Sequence, residues 1–190
     1  MEGAPRRKPT RLTGYDYSSY GGYFVTICSH EKRCLFGKVL NDAVVLSALG
    51  RLVNEHWLAI PRHYPHISLD QYIVMPNHLH GILMIVQETG GSSASPTHGM
   101  QASVQGGSSI KSRMQPITRV IGDFKSGVTR EFRKSNPTWQ GQIWQRGFYD
   151  RVIRDERDLH EIREYIVFNP LKWELDRENP NSQRKSPNQP

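Results

Sequence analysis

MPNHLHGILMIV, residues 75–86, is the stretch on which the fold reading turns. After the Pro76-Asn77 break, Leu79, Ile82, Leu83, Met84, Ile85 and Val86 leave neither face of an extended segment polar throughout. A strand that is apolar on both sides belongs in the middle of a sheet. Just upstream, LDQYIVM (69–75) is a second extended segment, and so short a connection between the two predicts an antiparallel hairpin.

Working outward, YFVTICS (23–29) is rich in aromatic and β-branched residues and reads as another strand. HEKRCLFGKV follows as a turn and a short extended segment. Residues 42–58 read as a helix, with Val45, Leu49, Leu52 and His56 at helical spacing, Asp42 as its cap and Pro61 marking its exit. On the other side, VIGDFKSGVTREFRK reads as a helix despite Gly122 and Gly127, and IWQRGFYDRVI as a last strand or an extended lead-in. DERDLHEIREYIVFNP closes the series as a helix, with Asp155 and Asp158 at its start and Pro170 at its stop. The predicted order is strand, helix, strand, strand, helix, strand, helix. A compact α/β sandwich with a mostly antiparallel sheet, ferredoxin-like or RRM-like, with an added C-terminal helix, accommodates it.

Residues 88–114 are dominated by Gly, Ser and other small or polar types, and are expected to be a mobile insertion within one domain spanning 15–173. A basic tail (1–14) precedes that domain and a polar tail (174–190) follows it. Two cysteines, Cys28 and Cys34, make neither a disulfide framework nor a cysteine zinc site. No apolar run approaches bilayer length, and the basic start lacks the hydrophobic segment of a signal peptide, so the expectation is a cytoplasmic protein without a membrane partner. The formal charge of +7 favours polyanionic partners, although many basic enzymes never touch nucleic acid.

The chemistry-bearing residues fall at two places. His78 and His80 alternate with Leu79, so strand periodicity sets both imidazoles on one face, within reach of a single divalent ion. The plain alternative is a pair of polar residues where a sheet face opens to solvent. Tyr165 and Asn169 lie four residues apart on the terminal helix, beside an apolar stripe of Leu159, Ile162 and Ile166. Packing that stripe on the sheet brings the pair to its border, where the Asn169 amide oxygen is a candidate third metal ligand and the Tyr165 phenol a candidate nucleophile. Here the alternative is a tyrosine at the core edge and an asparagine ending a helix. Lys125, Arg130, Arg133, Arg146, Arg151 and Arg154 are candidate phosphate contacts, and Trp139, Trp144, Phe148 and Tyr149 are candidates for base stacking or for ordinary packing. His63 and His66 are weaker candidates for the metal.

MPNHLHGILMIV and REYIVFNPLKW, in that order, closely resemble the single-tyrosine HUH transposases, in particular the REP-associated tyrosine transposases. YFVTICSHEKRCLFGKV, GDFKSGVTR and WQRGFYDRVIRDERDL extend the likeness over about Tyr15 to Trp173, outside the polar insertion. The resemblance implies that His78 and His80 hold magnesium or manganese, that Asn169 completes the metal site, and that Tyr165 becomes joined to the 5′-phosphate at a DNA break. It implies an endonuclease and strand transferase acting on single-stranded or hairpin DNA at repeated palindromic elements, in transposition or in processing of those repeats. Some members form homodimers. The competing readings are a nucleic-acid-binding module without catalysis and a metal-dependent nuclease that uses water.

Overall fold

The computed structural model describes residues 20–86, 115–176, 178–180 and 182. The expected insertion at 88–114 and the N-terminal tail at 1–14 lie outside the described residues, as does most of the C-terminal tail. The strands of the main sheet are β1 (Gly21–Cys28), β4 (Ile67–Val74), β5 (His78–Ile85) and β6 (Tyr149–Ile153). Their spatial order is β4-β5-β1-β6, every neighbouring pair antiparallel. The helices are α1 (Ala48–Leu58), the single turn α2 (Ile60–His63), α3 (Ile117–Ser135) and α4 (Glu156–Val167). With α1 and α3 as crossovers, β1, β4, β5 and β6 reproduce the βαββαβ order and strand arrangement of a ferredoxin-like sandwich.

Alternation along the two inner strands divides the core. Tyr23, Val25 and Ile27 of β1 and Leu79, Leu83 and Ile85 of β5 join Val53 and Trp57 of α1 and Val120, Phe124 and Val128 of α3 in the larger apolar cluster. Trp57 packs closely on the strand because position 81 is glycine: a Cβ there would stand 2.3 Å from the indole. On the opposite face Ile82 meets Leu159, Ile162 and Ile166 of α4, flanked by Phe24, Ile73, Met84 and Ile153. The stripe read from the terminal helix does therefore pack on the sheet. Asp155 caps α4 by accepting a hydrogen bond from the Asp158 amide at 2.8 Å.

One element departs from the reading of the sequence. The helix expected over 42–58 begins only at Ala48, capped by the Ser47 hydroxyl, and residues 43–46 are strand instead. β2 (Gly37–Leu40) and β3 (Ala43–Leu46) form a separate two-stranded hairpin. Asn41 and Asp42 turn it with φ of 49° and 61°, the left-handed pair that a tight two-residue hairpin requires. Asp42 is thus a turn residue, and Val44-Val45 obey their β-branched preference. Past α4, a 3-10 segment runs from Pro170 to Leu175. No helix among the described residues is long and apolar enough to cross a membrane.

Candidate active site

β5 enters the sheet at His78, and its first and third residues face the layer that carries α4. Both imidazoles are buried, at 0% and 3% exposure, with ring centroids 4.3 Å apart. Opposite them on β1 stand Cys28 and Thr26, paired in register with His78 and His80 respectively. The Thr26 hydroxyl is 2.9 Å from His80 Nδ1. His78 Nδ1 lies 2.9 Å from Asn77 Oδ1.

Burial sets the charge state of the pair. It pushes the His78 pKa down to about 3, with the nearby Lys32 ammonium acting in the same direction. His80 is held well below the ordinary histidine range, first by burial and then by His78, with Asp176 opposing. Both rings are therefore neutral near pH 7, the form in which imidazole donates a lone pair to a cation.

Tyr165 reaches the pair from α4. Its hydroxyl is 3.2 Å from His80 Nε2, and its ring meets His80 edge-on at 5.1 Å and Phe24 edge-on at 6.0 Å. The residue is 43% exposed, so the phenol bridges a buried imidazole and solvent. Asn169 stands just beyond the end of α4 rather than within it, yet keeps helical backbone angles (φ −60°, ψ −40°) and is buried. Tyr165, Asn169, His80 and Thr26 line one cavity of about 540 Å³, together with Phe24, Tyr149, Lys32, Lys172, Leu175, Asp176 and Glu178.

The fit of these residues to a cation is tested by their unpartnered atoms. His78 Nε2 and Asn169 Oδ1 are buried and make no hydrogen bond in the structure. Two lone-pair atoms left so are costly unless a ligand completes them. A third candidate donor is Asp176: its carboxylate and one ring nitrogen each of His78 and His80 all lie within 4.8 Å of one another. Two imidazoles with oxygen donors beside them suit a small divalent ion. Asp176 was missed in the sequence because it falls within the polar tail, three residues after Trp173 and the end of the motif.

The other candidates divide. Lys125, Arg130 and Arg133 of α3 line a second, open cavity together with Trp144. Lys125 is not a free cation there: its ammonium donates to the carbonyls of Gln145 at 2.6 Å and Gly147 at 2.8 Å, and burial lowers its pKa to about 8. Arg151 pairs with Asp158, Arg154 donates its backbone amide to the same carboxylate, and Arg146 is exposed. None of these six lines the cavity that holds Tyr165. Trp139, Trp144 and Phe148 pack on the larger core cluster. Tyr149 instead sits opposite Thr26 and lines the His80 cavity. His66 is buried against the Gln115 carbonyl and His63 is exposed, and neither lines that cavity.

No protein-family model matches the chain. An uncharacterized protein of Haemophilus influenzae is 39% identical over 174 residues, 92% of this chain and 93% of that one. A second protein of the same organism, named "Putative REP-associated tyrosine transposase", is 28% identical over 164 residues, 83% of this chain and 74% of that one. Among solved structures, a REP-associated tyrosine transposase bound to a REP hairpin is 16% identical with a TM-score of 0.48, covering 85% of this chain and 74% of that one.

Proposed function

We propose that this chain, which belongs to one family with the Haemophilus influenzae protein matching 92% of its length and is REP-transposase-like in its more distant kinship, is a DNA strand transferase that cuts single-stranded or hairpin DNA with Tyr165. The observation that carries the proposal is the Tyr165 hydroxyl, 3.2 Å from His80 Nε2 and open to the cavity in which Asn169 and Asp176 also lie.

The phenol oxygen attacks the phosphorus of the scissile phosphodiester. The bond from phosphorus to the 3′ oxygen breaks, and that oxygen leaves with a proton as a free 3′-hydroxyl. The 5′-phosphate stays on Tyr165 as a phosphotyrosine, so a second 3′-hydroxyl can reverse the attack and join strands. A phenol ordinarily loses its proton near pH 10, so Tyr165 must be assisted. The Tyr165 hydroxyl stands 3.2 Å from His80 Nε2, a contact that orients the phenol oxygen. His78 and His80, with Asp176 and Asn169 as oxygen donors, would hold magnesium or manganese, which would supply positive charge for the phenolate and the scissile phosphate. Lys32 and Lys172 line the same cavity and set further positive charge beside the phosphate path. Phe24 and Tyr149 offer aromatic surface to unpaired bases. The DNA acted on is that of repeated palindromic elements.

The test is a denaturation-resistant protein–DNA adduct. The full chain is incubated with manganese and single-stranded hairpins drawn from repeats flanking its gene. The adduct is expected, with mass spectrometry locating the 5′-phosphate on Tyr165. Tyr165→Phe keeps the ring and its packing, and is expected to bind the hairpin yet form neither adduct nor cut strand. Because Tyr149 shares the cavity, Tyr149→Phe is the paired variant and is expected to retain the adduct. Normal cleavage by Tyr165→Phe would make water or Tyr149 the attacking group and overturn the proposal.

A further inference from the structure

We propose that Asn77 is the positioning residue of the cation site: its side-chain amide, locked between two backbone carbonyls, holds His78 in the one neutral tautomer that leaves Nε2 free to bind a cation. The inference rests on the cation-site part of the function proposed above and adds a residue with no ligand atom in it.

Asn77 occupies the connection between β4 and β5 and is 1% exposed. Its Nδ2 donates to the carbonyl of Lys32 at 2.9 Å and to the carbonyl of Glu178 at 2.5 Å. Both amide hydrogens are thereby used. Turning the amide over would press its own oxygen against two carbonyl oxygens, so the orientation is fixed by chemistry. Oδ1 consequently faces His78 Nδ1 at 2.9 Å. A carbonyl oxygen only accepts, so Nδ1 must carry the hydrogen. A neutral imidazole has a single N–H, which leaves the lone pair on Nε2, the buried atom without a hydrogen-bond partner.

His80 provides the contrast. Its Nδ1 meets the Thr26 hydroxyl, which serves as donor or acceptor by rotating, so that contact leaves the tautomer of His80 open. The backbone around Asn77 is tied down as well: its carbonyl accepts from the Ser29 amide at 2.8 Å, while the side chains of Lys32 and Glu178, whose carbonyls hold the amide, pair with each other at 3.2 Å. An outer hydrogen bond of this kind sets both the direction and the basicity of a metal-bound imidazole.

The experiment uses the full chain, labelled with nitrogen-15 and stripped of cations. Ring-nitrogen spectra are expected to show His78 protonated at Nδ1 and bare at Nε2. Asn77→Ala is expected to lose that fixed tautomer and to weaken manganese binding, measured by electron paramagnetic resonance, by roughly 10- to 100-fold. Asn77→Asp keeps an oxygen that accepts from His78 Nδ1 but sets its other oxygen against the Lys32 and Glu178 carbonyls, so it is expected to be less stable than wild type while its folded fraction keeps the Nδ1–H tautomer. A wild-type His78 carrying its hydrogen on Nε2 overturns the proposal, as does a folded Asn77→Ala that binds manganese like the wild type. If Asn77→Ala does not fold, the wild-type spectrum and Asn77→Asp still decide. A wild-type chain that binds manganese but forms no DNA adduct sinks the strand-transfer reading and leaves this one standing.

Discussion

The two faces of the sheet receive alternate residues of the same strands and have opposite characters. Under α1 and α3, Leu79, Leu83 and Ile85 of β5 meet an apolar layer in which Trp57 lies against Gly81. Under α4, Ile82 is equally buried, but two residues earlier on the same side stand His80 and then His78, with Thr26 and Cys28 across from them. Apolar packing needs no partner of particular geometry. The polar end of the α4 face does, and it contains buried lone-pair atoms with none. One strand thus supplies stability on one side and, on the function proposed above, chemistry on the other, so that residues 79 and 80, adjacent in the chain, should fail in different ways.

That difference sets the largest effects. His80→Ala is expected to abolish adduct formation while cooperative unfolding persists, because it removes a cation donor and the partner of the Tyr165 hydroxyl. Leu79→Ala is expected to lower stability by about 2–5 kcal/mol, the range for emptying a fully buried leucine, and to leave adduct formation per folded molecule near wild type. Denaturant unfolding and adduct assays on both variants check the pair. A His80→Ala protein that still cuts, or a Leu79→Ala protein that is fully stable but inactive, would break the division of labour.

A smaller effect comes from pH. In cation-free protein His78 titrates near 3 when folded, against about 6.5 when unfolded. The folded value is the lower one, so its stabilising contribution is complete above about pH 6.5. As pH falls from there towards 3 the unfolded chain takes up a proton that the native protein refuses, and stability falls. Between pH 6.5 and 5 this amounts to roughly 2 kcal/mol from His78 alone, at about 1.4 kcal/mol per pH unit. Urea unfolding of wild type and of His78→Gln, both with chelator, is expected to show a steeper loss in the wild type. Parallel pH profiles would mean that the ring is solvated in the native state.

Much of this contrast is legible in the sequence. The alternation of HLHGILMI and the stripe Leu159–Ile162–Ile166 are periodicities, and the sheet and α4 follow from them. What periodicity cannot supply is contact between segments remote in the chain. Tyr149 looks remote from the histidines until β6 pairs with β1 and places it opposite Thr26. Asp176 enters only because the 3-10 segment folds the chain back across the site. Lys125 carries a charge that favours phosphates, yet the carbonyls of Gln145 and Gly147, between α3 and β6, already hold it. The β2–β3 hairpin was concealed differently: Val45 and Leu49 fit a helical period, and the Asn41-Asp42 turn was the competing local signal. The insertion and the N-terminal tail lie outside the described residues.

The smallest expected effect concerns what holds α4 against its face. Arg163, two residues before Tyr165, makes a bidentate pair with Asp70 of β4, Nε to Oδ1 at 2.8 Å and Nη2 to Oδ2 at 2.5 Å. Asp70 begins the irregularity in β4 where the register shifts between Leu69 and Tyr72, so its carboxylate is offered at the sheet edge. The guanidinium holds the Asp70 carboxyl below the usual carboxylate range. Both side chains nevertheless keep access to water, at 44% and 20% exposure, and such pairs couple weakly. A double-mutant cycle with Asp70→Ala and Arg163→Ala is expected to give a coupling below about 1 kcal/mol, decreasing as salt rises. Ile162→Ala, which opens the apolar contact with Ile82, is expected to remove several times as much stability, about 2–5 kcal/mol. If the helix is seated by that stripe, Arg163→Ala should leave adduct formation near wild type. A coupling as large as the loss in Ile162→Ala, together with a slow Arg163→Ala enzyme, would mean that the edge pair rather than the apolar contact places the Tyr165 hydroxyl beside His80.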